Sequence, residues 1–228
     1  DAFGGVIYAR TRRAEPGSPL RMRFIGTLGA GIPERRTRIQ VSKGVEQGGV
    51  LVQAHYRDID DYRSPEGDVF NSGASDTGFL VRGDHALGPG TMSVGWQSDF
   101  GRDVERPRNN SRTVRFLYPD EDSHRFTASY GIRDLAGFTR VGIDTFLGSY
   151  AQITDQDRFA TATTGRSVER ADIAARDFQV RATAERFAGN ARVELGTDVN
   201  GRFDLEALDI IQAFDLGGAL TVDTTNVS

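Results

Sequence analysis

Short and long connections alternate along this chain, and that alternation limits its possible folds more than any single residue does. Segments with a period-2 pattern read as nine strands: 20–28, 35–44, 49–58, 75–86, 91–100, 123–132, 137–149, 173–186 and 190–200. From the second strand on, they are joined by Val45–Gly48, Ile59–Ala74, Leu87–Gly90, Gly101–Asp122, Arg133–Ala136, Tyr150–Asp172 and Phe187–Gly189. Connections of three or four residues alternate with connections of sixteen or more. A soluble sandwich has no reason to gather its long loops at one end. A transmembrane β-barrel does, because its two rims face different compartments.

The faces of these segments are sorted by polarity. Thr37, Ile39 and Val41 oppose Arg36, Arg38, Gln40 and Ser42. Val50, Val52, Ala54 and Tyr56 oppose Leu51, Gln53, His55 and Arg57. Phe126, Ala128, Tyr130 and Ile132 oppose Arg125, Thr127, Ser129 and Gly131, and Phe178, Val180 and Ala182 oppose Asp177, Gln179 and Arg181. A sandwich buries the apolar set in its core. A membrane barrel turns that set to lipid and the polar set to the lumen. The segments are longer than the usual strand of roughly 5–6 residues and match the roughly 9–11 of a tilted membrane strand. Phe24, Tyr56, Phe79, Trp96, Tyr130 and Phe178 stand near strand ends on the apolar face, as interfacial girdles do. The expected fold is therefore all-β: about nine long meander strands of a transmembrane antiparallel barrel, forming an open, curled sheet whose first and ninth strands are edges.

Composition removes several classes of function. With 28 basic and 32 acidic residues the net charge is −4, which gives no global field for nucleic acid. The absence of cysteine excludes disulfide scaffolds, thiolate metal sites and cysteine nucleophiles. No run reaches 18 apolar residues, so no helix is expected to cross a membrane. His55, His85 and His124 form no ligand-spaced pair, and no metal or other cofactor is expected. The acidic groups Asp58, Asp60, Asp61 and Asp120-Glu121-Asp122 lack the spacing of a calcium loop and read as solvated charge. Neither a Gly-x-Ser-x-Gly nor a Walker loop occurs, so catalysis is not expected.

The first seven residues, Asp1-Ala2-Phe3-Gly4-Gly5-Val6-Ile7, resemble the end of the plug domain of TonB-dependent outer-membrane receptors. In that family a Gly-Gly-Val-Ile strand closes the plug, and a basic residue then leads into the first barrel strand. The resemblance implies that residues 1–17 are the end of a plug and its linker, and that residues 18–228 are the first part of a 22-stranded barrel. The chain then reads as an internal piece of a longer protein. The resemblance also implies an orientation: Val45–Gly48 and its counterparts face the periplasm, and Asp103–Pro107, Tyr118–Asp122 and Thr154–Arg158 lie in extracellular loops. Thr113–Leu117 is assigned to the third of these loops. Gly29–Glu34 is the one short outer connection, and residue 201 onward is a fifth outer loop.

The function implied is energy-coupled uptake of a ferric siderophore, haem or cobalamin, with the TonB complex and outer-membrane lipid as partners. The alternative is a passive porin-like barrel or an adhesin, which carries no plug strand. Arg23, Arg36, Arg38, Gln53, His55, Arg82, Arg125 and Arg181, together with Arg21, are the candidate lumen-facing contacts to plug or ligand. Tyr62, Phe70, Phe116 and Tyr118 are the candidate ligand contacts in the outer loops. A soluble sandwich would instead bury Phe126, Val180 and Val193 together in one core.

Overall fold

A computed structural model of the chain describes residues 12–29, 32–107 and 111–228. The motif Asp1–Ile7 and part of the Gly29–Glu34 connection lie outside the described residues. The described chain is all-β. Its strands are β1 (Arg21–Leu28), β2 (Glu34–Val45), β3 (Gly48–Ile59), β4 (Tyr62–Ser64), β5 (Gly67–Val69), β6 (Ala74–Leu87), β7 (Gly90–Glu105), β8 (Val114–Leu135), β9 (Phe138–Arg158), β10 (Ser167–Ala188), β11 (Ala191–Phe214) and β12 (Leu220–Val227). Ten of them form one antiparallel meander in the order β1-β2-β3-β6-β7-β8-β9-β10-β11-β12, which stays open. The remaining two, β4 and β5, make a small hairpin inside the β3–β6 connection.

All nine expected strands are present, and there is a tenth long one. β11 does not run into a long loop after residue 200. It continues to Phe214, turns through residues 215–219 and pairs with β12, for example Ile210 with Thr225. The edges are therefore β1 and β12, and the ninth long strand, β11, is paired on both sides.

The other long connections are corrected in the same direction. β8, β9, β10 and β11 run 22, 21, 22 and 24 residues, far past the segments where polarity alternates. Thr154–Arg158 belongs to β9, Tyr118–Asp122 and most of Thr113–Leu117 to β8, and Asp103–Glu105 to β7. On far β9, Asp155 and Asp157 fall on one face and Gln156 and Arg158 on the other, so the period-2 polarity signal vanishes while the hydrogen-bond ladder goes on. Pro119 reads as a loop residue because it has no N–H to give a ladder. The β8–β9 register slips between Leu117 and Glu121, and this bulge accommodates it.

One rim of the sheet carries two-residue turns at 46–47, 88–89, 136–137 and 189–190. At Ala136-Gly137 both residues have positive φ, 52° and 82°, which matches the right-handed twist of the flanking strands. All four turns fall within the short connections expected from the sequence or directly beside them. The opposite, far rim carries the longer connections.

Residues directly opposite one another share a face. The register therefore strings Met22, Val41, Val52, Val81, Trp96, Phe126, Leu147 and Phe178 into one row across eight strands. All six girdle candidates lie on this same face. The face is not covered. Phe126, Val180 and Val193 are 43%, 40% and 45% exposed, so the buried core of a sandwich does not form around them. Among the described residues the buried apolar side chains are Ala14, Leu51, Leu117 and Ala175.

Towards the far rim the row Phe100–Asp122 ends the apolar belt, and the next row is charged. There Arg102 meets Asp120 at 3.2 Å and also pairs with Asp122, while Arg35 stands 3.9 Å from Asp58. Between the Phe100 row and the turn rim lie roughly ten residues per strand. At about 3.4 Å each and a tilt of about 40°, they cover about 25 Å, the height of a bilayer's apolar band.

Beyond the belt, on β9, burial pushes the Asp155 carboxyl up; Asp172 adds to this and Arg170, 3.8 Å away, opposes it. A carboxyl raised by folding is penalised while ionised. Its cost is fully present above the raised value and fades as pH falls towards the ordinary carboxylate range. Asp155→Asn is therefore expected to flatten the pH dependence of thermal unfolding in that acidic window, read as loss of β-sheet circular dichroism. An unchanged slope would refute the assignment.

Candidate functional site on the polar face

The second face of the sheet collects the charged side chains. Every candidate lumen-facing residue falls on it. The register places Arg23 opposite Gln40, Gln40 in turn opposite Gln53, Arg36 opposite Arg57, and Arg38 opposite His55. It places Arg82 opposite Leu51, Arg125 opposite Gln97, and Arg181 opposite Asp144 and Asp198. A depression of about 510 Å³ draws on Arg82, Gln97, Arg125, Phe146 and Arg181 from five consecutive strands, so the sheet curves towards this face.

Three groups of contacts fill the face. Near the turn rim, Asp84 accepts from Arg82 at 3.1 and 3.2 Å and from Ser93, and it meets Arg13 at 3.6 Å. In the middle, Arg181 is 3.5 Å from Asp198, Arg202 donates to Asp177 at 2.8 Å, and the Arg125 guanidinium lies 5.8 Å from the Phe146 ring centroid. Higher up, Asp76 bridges Arg57 and His55, the latter at 3.1 Å, and Asp99 stands 3.9 Å from His55. Arg36 pairs with Glu34 at 2.9 Å.

The acidic partners Asp76, Asp84, Asp99 and Asp198 were missed by the sequence reading. Their signal was available: Asp76 and Asp84 have the same parity as Arg82 on β6. Among the described residues, Arg21, Arg23 and Arg38 make no ion pair, and Arg38 Nε is buried without a hydrogen-bond partner. Among the described residues, then, Arg21, Arg23 and Arg38 are the candidate cations without a counter-charge, whereas Arg36 and the cations of β6–β11 are largely paired within the sheet.

The segment before β1 reaches this same face. Arg13 touches Asp84, and Ala14 is buried against Gly49. A Cβ on Gly49 would lie 2.6 Å from Ala14 Cβ, so the close approach requires glycine there. The Gly17 N–H donates to Val45 O at 2.9 Å, and the Gly44 N–H donates to Ser18 O at 2.9 Å. The chain is thus pinned to the polar side of the turn rim before it enters β1.

At the far rim, the four aromatic candidates are not all in loops. Phe116 and Tyr118 are β8 residues, a correction that follows from the extension of that strand. Their rings meet edge-on at 5.4 Å, and Arg106 lies 5.8 Å from one centroid and 5.9 Å from the other while donating to the Tyr118 hydroxyl at 2.7 Å. Phe70 lies under Arg112 at 4.1 Å, and Tyr62 begins the β4–β5 hairpin. Asn71 Nδ2 ties this connection to the next by donating to Ser111 O at 3.2 Å.

The three histidines fall apart. His55 is on the polar face, His124 accepts or donates through Nδ1 with Ser98 Oγ at 2.8 Å on the apolar face, and His85 sits opposite Gly48 and Met92. Among the described residues no group of three or more His, Cys, Asp or Glu side chains is placed to hold a metal ion. Asp61 is occupied by Ser72, whose N–H donates at 2.7 Å. No protein family, curated protein or solved structure matches the chain.

Proposed function

We propose that this chain is part of a TonB-dependent outer-membrane receptor and takes part in energy-coupled uptake of a scarce, large nutrient: a ferric siderophore, haem or cobalamin. The observation that carries the reading is the segregation of the two faces. One face presents a register-aligned apolar belt bounded by aromatic side chains and then by ion pairs. The other is charged and concave, and it receives the chain that precedes the first strand.

Magnitudes favour lipid over water for the belt. Half-exposing a large apolar side chain forgoes about 1 kcal/mol, and ten such side chains forgo about 10 kcal/mol, comparable to the whole net stability of a domain. A bilayer removes that cost. On this reading β4–β5 and the far ends of β7–β11 stand outside the cell and capture ligand, with Arg106, Phe116 and Tyr118 among the contacts. A plug occupies the concave face against Arg21, Arg23 and Arg38, and the TonB complex in the inner membrane moves it. The chemistry is transport, with no bond made or broken by this chain.

The linker on the polar face favours a plugged barrel over a passive pore or an adhesin. The test is growth of cells dependent on this protein with a ferric siderophore, haem or cobalamin as the sole source of iron or cofactor. Uptake of one of the three is expected to stop when the inner-membrane energy-transducing complex is deleted. Uptake that survives the deletion would leave only the passive pore.

A further inference from the structure

The apolar face is not uniform. Near its upper margin a groove of about 270 Å³ opens across β7–β11. Trp96, Phe126, Leu147 and Phe203 line it, and His124 and Arg176 stand at its upper end. The register explains the layering. Trp96, Phe126 and Leu147 share one row, and His124 and Arg176 share the next row towards the far rim. Arg176 sits at a slip in the β10–β11 ladder, where Asp204 takes a positive φ of 48°.

Arg176 is a cation at the top of an apolar channel, and its one carboxylate partner leaves most of its donors free. Its Nη1 donates to Asp204 at 2.9 Å, its remaining N–H groups have no partner among the described residues, and its side chain is 61% exposed. Water would serve the guanidinium but not the groove. An amphiphile with an anionic head and an acyl chain serves both, because a guanidinium fork matches phosphate oxygens and a chain covers the aromatic walls. The level is also suitable. On β7 and β8 the Arg102–Asp120 ion pair stands two rows higher, so Arg176 lies where the belt gives way to polar surface.

We propose that this groove binds a membrane lipid with a phosphate headgroup, the phosphate at Arg176 and one acyl chain along Trp96, Phe126 and Leu147. The inference rests on the reading of this face as membrane-facing, and the test separates the two.

Trp96 is the single tryptophan of the chain and lines the groove, so its fluorescence reports directly. The protein is placed in phosphatidylcholine vesicles containing a small fraction of phosphatidylglycerol with brominated acyl chains. Quenching of Trp96 is expected to exceed that from the same fraction of brominated phosphatidylcholine by about fivefold, the preference that one arginine–anionic lipid contact supplies. Arg176→Gln should bring the ratio close to one, while Arg192→Gln on the opposite face keeps it. Vesicles made wholly of brominated phosphatidylcholine should quench wild type and both variants alike.

Equal quenching by the two dilute lipids in the wild type would overturn the lipid site and leave the membrane reading intact. A preference that survives in Arg176→Gln would overturn the site as assigned. Failure of fully brominated phosphatidylcholine to quench Trp96 would overturn the membrane reading, and the site with it.

Discussion

Val180→Arg is expected to lower the stability of the sheet in a phospholipid bilayer by about 2–4 kcal/mol, whereas Gln179→Arg, one residue away, leaves it close to wild type. The two positions differ only in face. Val180 lies in the middle of the apolar belt, opposite Thr145 and Val199, and is 40% exposed. A guanidinium there stands in hydrocarbon. Gln179 lies on the polar face and donates to Asp198 at 2.7 Å, so an arginine in its place meets a carboxylate. Urea titration of protein folded into phosphatidylcholine vesicles gives both numbers. Should Val180→Arg fold as well as Gln179→Arg, the belt does not face lipid. The comparison also controls for strand propensity, since both variants place the same side chain in the same strand.

A second large effect is expected at the turn rim. Gly48→Val should cost about 3 kcal/mol, from overpacking and from the hydrogen bonds lost beside it. A Cβ on Gly48 would lie 1.9 Å from the backbone oxygen of Asp84, which cannot yield without breaking the β3–β6 ladder. Displacing Asp84 also disturbs its contacts with Arg82, Ser93 and Arg13, and with them the seat of the linker. The matched control is Gly83→Val on the neighbouring strand. Nothing lies within 4 Å of a Cβ there, and the position belongs to the apolar face, so the variant should be neutral or slightly stabilising. Equal loss in the two variants would show that strand glycines matter here for the backbone alone and not for close approach.

Both predictions rest on face and register, and these were legible to different degrees. Alternation along β2, β3, β7, β8 and β10 was enough to sort Ile39 from Arg38, Val52 from Gln53 and Val180 from Arg181, because a paired strand turns successive side chains to opposite sides. Short connections sufficed to place the four tight turns on one rim. The far halves of β8–β11 were hidden, because polar side chains there stand on both faces and polarity no longer alternates. β12 was hidden for a related reason: Leu220–Val227 carries few large apolar residues, and only its pairing with β11 makes it a strand.

Parity alone was enough to gather the candidate cations on one polar face. Their partners were not, since an ion pair between Arg57 and Asp76, or between Arg202 and Asp177, depends on register across strands. Sequence periodicity by itself determined that this is a two-faced antiparallel meander with its turns gathered at one rim, because period and turn chemistry are local properties of the backbone. Only the tertiary structure decided how the rows align into one belt, where the belt stops, that a tenth strand continues the sheet, and that residues 13–18, ahead of β1, lie on the charged side. Those are matters of long-range pairing, and a one-residue slip in register would have reversed every face.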